Sequence, residues 1–93
     1  MSQTKRRPAL VIAPLEGDDI ILCQITSQAR EDSYSVRLED GDFASGGLRL
    51  SSRIRPNRLF TADSSIVVYR VGTVSAQKMD EVISRLIAII RQN

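Results

Sequence analysis

A mainly β domain, a small antiparallel barrel-like sheet completed by one C-terminal α-helix, is predicted from three observations. Between residues 8 and 71 short runs of apolar or alternating character are punctuated by Gly, Pro, Asp and Ser clusters. The connections between these runs are too short for helical crossovers, which favours antiparallel pairing. After Gly72 the apolar period changes from two to the i, i+3, i+4, i+7 spacing of an amphipathic helix.

Pro8 to Ala13 is a continuous apolar, β-branched run and reads as a buried strand, closed by Pro14 and the turn cluster Glu16 to Asp19. Ile20 to Gln28 is a second strand, with Ile21, Cys23 and Ile25 on one side and Ile20, Leu22, Gln24 and Thr26 on the other. After a polar break from Gln28 to Asp32, Ser33 to Glu39 alternates as a half-exposed strand. Asp40 to Gly47 carries turn chemistry around Phe43 and reads as loop. Leu48 to Arg55 alternates again and sets Arg49, Arg53 and Arg55 on one face, with Pro56-Asn57 ending or kinking it. Ile66 to Val71 is the last strand. Ser75 then caps a helix whose stripe is Met79, Val82, Ile83, Leu86, Ile87 and Ile90.

The 93 residues, 42% of them apolar, suffice for one core but a marginal one, so a partner subunit or a bound protein is expected. The chain has no His, which excludes Ser-His and Cys-His nucleophilic pairs and mixed His/Cys zinc sites. One cysteine, Cys23, excludes an intrachain disulfide, fits a reducing cytoplasm, and on an apolar strand reads as a buried thiol. The apolar stretch from Ala9 to Ala13 is too short for a signal peptide, and no run has membrane-spanning length. The formal charge of +2 is unevenly spread: residues 1–15 and 43–60 are basic and free of acids, whereas residues 16–42 hold eight acidic side chains. Two basic tracts meeting in the fold would attract a polyanion; the alternative is a solvated surface in which the arginines pair with the acidic middle.

Four segments in order carry a resemblance. Lys5-Arg6-Arg7-Pro8-Ala9-Leu10-Val11 is similar to a K-x-R-P-x-L-V motif, and Ile25-Thr26-Ser27-Gln28 to a strand ending I-T-S/A-Q. Gly47-Leu48 with Ser52, followed by Arg55-Pro56-Asn57-Arg58-Leu59-Phe60-Thr61, is similar to G-L…S-x-x-R-P-D-K-L-F-T. Arg70 to Ser75 is similar to R-x-G-x-L-S. In these segments the chain resembles the MazF/PemK family of bacterial toxin-antitoxin ribonucleases over nearly its whole length.

The resemblance implies an SH3-like, PemK-type barrel with a C-terminal helix, a homodimer, and metal-independent cleavage of single-stranded RNA by the substrate's own 2′-hydroxyl. It implies no cofactor, a cognate antitoxin as protein partner, a cytoplasmic location, and DNA binding only through the antitoxin complex. Arg7 and Thr26 match the catalytic arginine and threonine, and Ser27, Gln28, Asn57 and Arg58 match positions that contact RNA. Tyr34 and Tyr69 can stack on bases but read first as packing residues, and Arg49, Arg53 and Arg55 read first as a solvated face. Residues 1–93 read as one domain that starts almost at K-x-R-P, without the strand and loop that precede this motif in the family. An alternative is therefore a poorly catalytic relative that binds RNA or antitoxin; a gyrase-poisoning toxin on a related barrel has only fold analogy behind it.

Overall fold

The computed structural model describes residues 6–28 and 32–92. Six strands and one helix follow in chain order: β1 (Ala9–Pro14), β2 (Asp19–Thr26), β3 (Val36–Leu38), β4 (Phe43–Gly46), β5 (Ser52–Asp63), β6 (Gly72–Val74) and α1 (Ala76–Arg91). A four-stranded sheet of order β1-β2-β5-β3, antiparallel throughout, curls into a half-barrel, and β4 pairs with β6 in a separate two-stranded ribbon. The mainly β architecture with a terminal helix is as the sequence predicts. Among the described residues β1 pairs with β2 alone and forms one margin of the sheet. Among the described residues no helix is long and apolar enough to cross a membrane.

The register explains the core. Ile25 faces Ile54, and Ile54 faces Val36, so one cross-strand row supplies three buried side chains. Leu10, Cys23 and Leu38 extend this layer, and Val82 and Leu86 of α1 cover it. The helix begins where predicted: Ser75 accepts a hydrogen bond from the Lys78 amide at 3.1 Å. Lys78 then ties that end to the sheet, because its buried ammonium donates to the Arg37 carbonyl at 2.9 Å and to Glu81 at 2.8 Å. The predicted helical stripe divides. Val82 and Leu86 are buried and Met79 packs beside them, whereas Ile83, Ile87 and Ile90 stay on the outer surface.

Four predicted elements are corrected. The strand expected from Ser33 to Glu39 shrinks to β3, because the Asp32 carboxylate accepts from the Tyr34 and Ser35 amides at 2.8 and 2.7 Å and folds residues 32–35 into a turn. The strand expected from Leu48 to Arg55 starts only at Ser52 but runs past Pro56 to Asp63. Pro56 is tolerated because the pairing jumps from Gln24–Arg55 to Cys23–Leu59, leaving residues 56–58 in a bulge where no amide is needed. The third correction concerns Ile66 to Val71, which forms no strand. Asp63 accepts from the Ser65 amide at 2.8 Å and opens a 3-10 turn, after which the segment runs exposed. The fourth is Phe43 to Gly46, expected as loop, which pairs with β6. Gly72 permits that pairing, since a Cβ there would stand 2.6 Å from the Ser45 carbonyl oxygen.

Candidate active site and nucleic-acid interface

The pairing of β1 with β2 brings two sequence-predicted residues together. Ala9 faces Gln24, and the Ile25 amide donates to the Pro8 carbonyl at 3.2 Å, so the same register continues beyond β1. Continued one step further, that register sets Arg7 opposite Thr26. Such a pair, flanking a hydrogen-bonded one, has its side chains on one face and close together. Proline suits position 8 because it offers the carbonyl that this pairing uses and fixes the backbone that carries Arg7.

Arg7 and Thr26 border an open groove of about 530 Å³. Ser27 and Gln28 continue its wall beyond the end of β2, and Gly47, Arg49 and Tyr69 form the facing side. Thr26 Oγ1 accepts from the Gln28 amide at 3.2 Å, which turns the hydroxyl proton away from the backbone and leaves it available to a ligand. Arg7 is exposed, so its fork of donors meets solvent at the groove mouth. The site can therefore bind an anion and donate a hydrogen bond beside it.

The other predicted site residues separate. Arg58 lies in a neighbouring depression of about 370 Å³ with Phe60, joined to the first through Arg7 and Gln24, which border both. Asn57 is exposed in the β5 bulge and borders neither depression. Tyr69, expected to pack, is instead 63% exposed and lines the groove, and Arg49 lines it too. The unpaired run after Asp63 is what carries Tyr69 there, and the strand-like alternation of Ile66 to Val71 concealed it.

Other ionisable groups lie outside the groove's chemistry. Burial at the core pushes the Cys23 thiol up to about 11, which keeps it protonated. Hydrogen bonds from the Ser35 side chain and from the Ser35 and Tyr34 amides hold the Asp32 carboxyl below its usual range. Among the described residues no three His, Cys, Asp or Glu side chains converge as an ion site.

Comparison with known proteins agrees with this fold. No curated protein sequence matches the chain. Solved structures do match in fold: a toxin of Mycobacterium tuberculosis, MazF-mt6, is 15% identical with a TM-score of 0.76, over 94% of this chain and 88% of that one. An endoribonuclease from a mycobacterial species is 15% identical with a TM-score of 0.74, over 90% and 79% of the two chains. MazE-MazF from Deinococcus radiodurans is 21% identical with a TM-score of 0.74, over 91% and 85%. The family model of PemK-like, MazF-like toxins of type II toxin-antitoxin systems matches residues 1–90. With that model spanning the sheet, both walls of the groove and nearly all of the terminal helix, the chain belongs to the PemK-like, MazF-like toxin family.

Proposed function

We propose that this chain is an endoribonuclease toxin that cuts single-stranded RNA and is neutralised by a cognate antitoxin. The observation that carries the reading is the Arg7–Thr26 register at the mouth of a groove bordered by Arg6, Arg7 and Arg49. In the reaction the 2′-oxygen of one nucleotide attacks the adjacent phosphorus and the bond from phosphorus to the 5′-oxygen breaks, while solvent water takes the proton of the 2′-hydroxyl and returns one to the leaving 5′-oxygen. The products are a 2′,3′-cyclic phosphate and a 5′-hydroxyl. The nucleophile belongs to the substrate, so no metal ion is required to generate it.

The remaining demand is on charge. Negative charge gathers on the non-bridging oxygens as the phosphorus becomes five-coordinate, and a fixed, always-ionised guanidinium answers it with paired donors. Thr26, its oxygen already occupied by the Gln28 amide, keeps its proton and donates a hydrogen bond through it to a non-bridging phosphate oxygen. Tyr69 offers an exposed ring for base stacking, and Ser27 and Gln28 offer hydrogen bonds to a base edge. The MazE-MazF structure supports an antitoxin as partner. The chain acts as a cytoplasmic homodimer that meets DNA only through the antitoxin complex.

Incubation of the purified chain with mixed-sequence single-stranded RNA in EDTA tests this. Fragments ending in 2′,3′-cyclic phosphate are expected, with no cleavage at a site whose upstream nucleotide is 2′-deoxy. Intact RNA, or equal cutting at the deoxy site, overturns the reading.

A further inference from the structure

The register that joins Arg7 to Thr26 does not stop at β2. Thr26 faces Arg53 of β5, and Arg53 faces Arg37 of β3. Arg7, just ahead of β1, thus falls in line with Thr26, Arg53 and Arg37, a single row across the four-stranded sheet. The neighbouring row, Ile25, Ile54 and Val36, is buried against α1. Alternation along each strand therefore turns the arginine row to the opposite, outer face. There Arg37 is exposed and Arg53 half-buried, and Arg55, which faces Gln24, lies on the same face one row further in.

Like charges directly opposite on neighbouring strands destabilise a sheet. Arg37 and Arg53 are such a pair, and among the described residues the ion pairs within reach belong to Lys78, not to them. Among the described residues the acidic tract makes no ion pair with either: Asp42 engages Lys78, Glu39 accepts from the Ser51 hydroxyl, and Asp32 holds its own turn and feels Arg55 rather than Arg53 or Arg37. A cationic row starting at the candidate catalytic pair calls for an extended polyanion. Successive strands are about 4.8 Å apart, so the row is on the order of 14 Å long. That length accommodates more than one backbone phosphate.

We infer that Arg53 and Arg37 form a phosphate track leading the RNA strand away from the Arg7–Thr26 pair across the outer face of the sheet. This rests on single-stranded RNA being the substrate. The track binds backbone rather than bases, so it adds affinity without adding sequence preference.

The test measures binding of a fluorescein-labelled, mixed-sequence 2′-O-methyl oligoribonucleotide, which cannot be cut, by anisotropy between about 50 and 300 mM salt. Each phosphate contact on a single strand contributes about 0.7 to the slope of log affinity against log salt. The Arg37→Gln/Arg53→Gln double variant is expected to lower the slope by about 1.4. Arg53→Lys, which keeps the charge, is expected to retain the wild-type slope at that position, as is Arg91→Gln on the far end of the helix. Relief of the like-charge pair predicts a melting temperature for the double variant at or above wild type, which separates lost contact from lost fold. An unchanged slope in the double variant overturns the inference, as does an equal fall with Arg91→Gln. So does loss of affinity for an oligoglutamate peptide with RNA binding intact, which would assign the row to an acidic protein. Cleavage is scored separately: wild-type cutting with an unaltered slope removes the track and leaves the endoribonuclease reading standing.

Discussion

Arg7 and Thr26 sit at the ends of two strands, where the backbone register brings together residues 19 positions apart in sequence. Neither announces itself alone: an arginine before proline and a threonine in a strand are ordinary surface residues. They became legible through the order of four motifs, and the register supplies the physical reason those motifs belong together. Cys23 was legible by a simpler route, as a thiol within an apolar alternation. Its pKa, raised by burial to about 11, means that the protonated form is favoured in the folded chain. The associated stability is complete below the ordinary thiol range and is lost as pH rises towards about 11. We therefore expect iodoacetamide at pH 8 to leave Cys23 unmodified in the native chain and to alkylate it fully in guanidinium, followed by mass spectrometry. Rapid native alkylation contradicts the burial. Tyr69 and Arg49 were hidden at this scale, because exposure over a groove depends on how a neighbouring segment pairs.

At the scale of elements, period and capping predicted α1 well, since its stripe and the Ser75 cap are local. The strands fared unevenly. β1 and β2 have enough consecutive apolar residues to declare themselves. β3 was overextended because Asp32 converts the start of an alternating run into a turn, a competition between side-chain and ladder hydrogen bonds that alternation does not register. Ile66 to Val71 has the composition of a strand but no partner edge, while the plain Gly72–Val74 finds one in β4. Glycine decides that outcome. Gly72→Ala sets a methyl 2.6 Å from the Ser45 oxygen and 2.8 Å from the Gly47 nitrogen, both backbone atoms. The ribbon must open, at a cost of about 1–3 kcal/mol. Urea unfolding of Gly72→Ala is expected to show this loss with its slope unchanged, and a midpoint equal to wild type would show that the close approach does not form.

For the whole molecule, one sheet covered by one helix leaves much apolar surface unburied. Val67, Val68 and Tyr69 on the unpaired segment and Ile83, Ile87 and Ile90 on the outer side of α1 all remain exposed. A domain of this size has little stability to spare, and association is the ordinary way to cover such surface. We expect sedimentation equilibrium to give about twice the 10.3 kDa chain mass, and Val68→Glu to shift the population towards the single chain. A wild-type mass of one chain at micromolar concentration contradicts this. The basic and acidic tracts also acquire meaning only at this scale. Part of the acidic tract holds Lys78 and the Asp32 turn, leaving Arg37 of β3 and Arg53 of β5 without an ion pair among the described residues.

The central claim is that Arg7 and Thr26 act as a pair on one phosphate. Single-turnover cleavage of one RNA by wild type, Arg7→Ala, Thr26→Ala and the double variant measures it most directly. The pair predicts that each single substitution lowers the rate by about 10²–10³-fold, with the double variant little worse than the poorer single, as for groups that act as a unit. Wild-type rates in either single variant, or losses that simply multiply in the double, would contradict it.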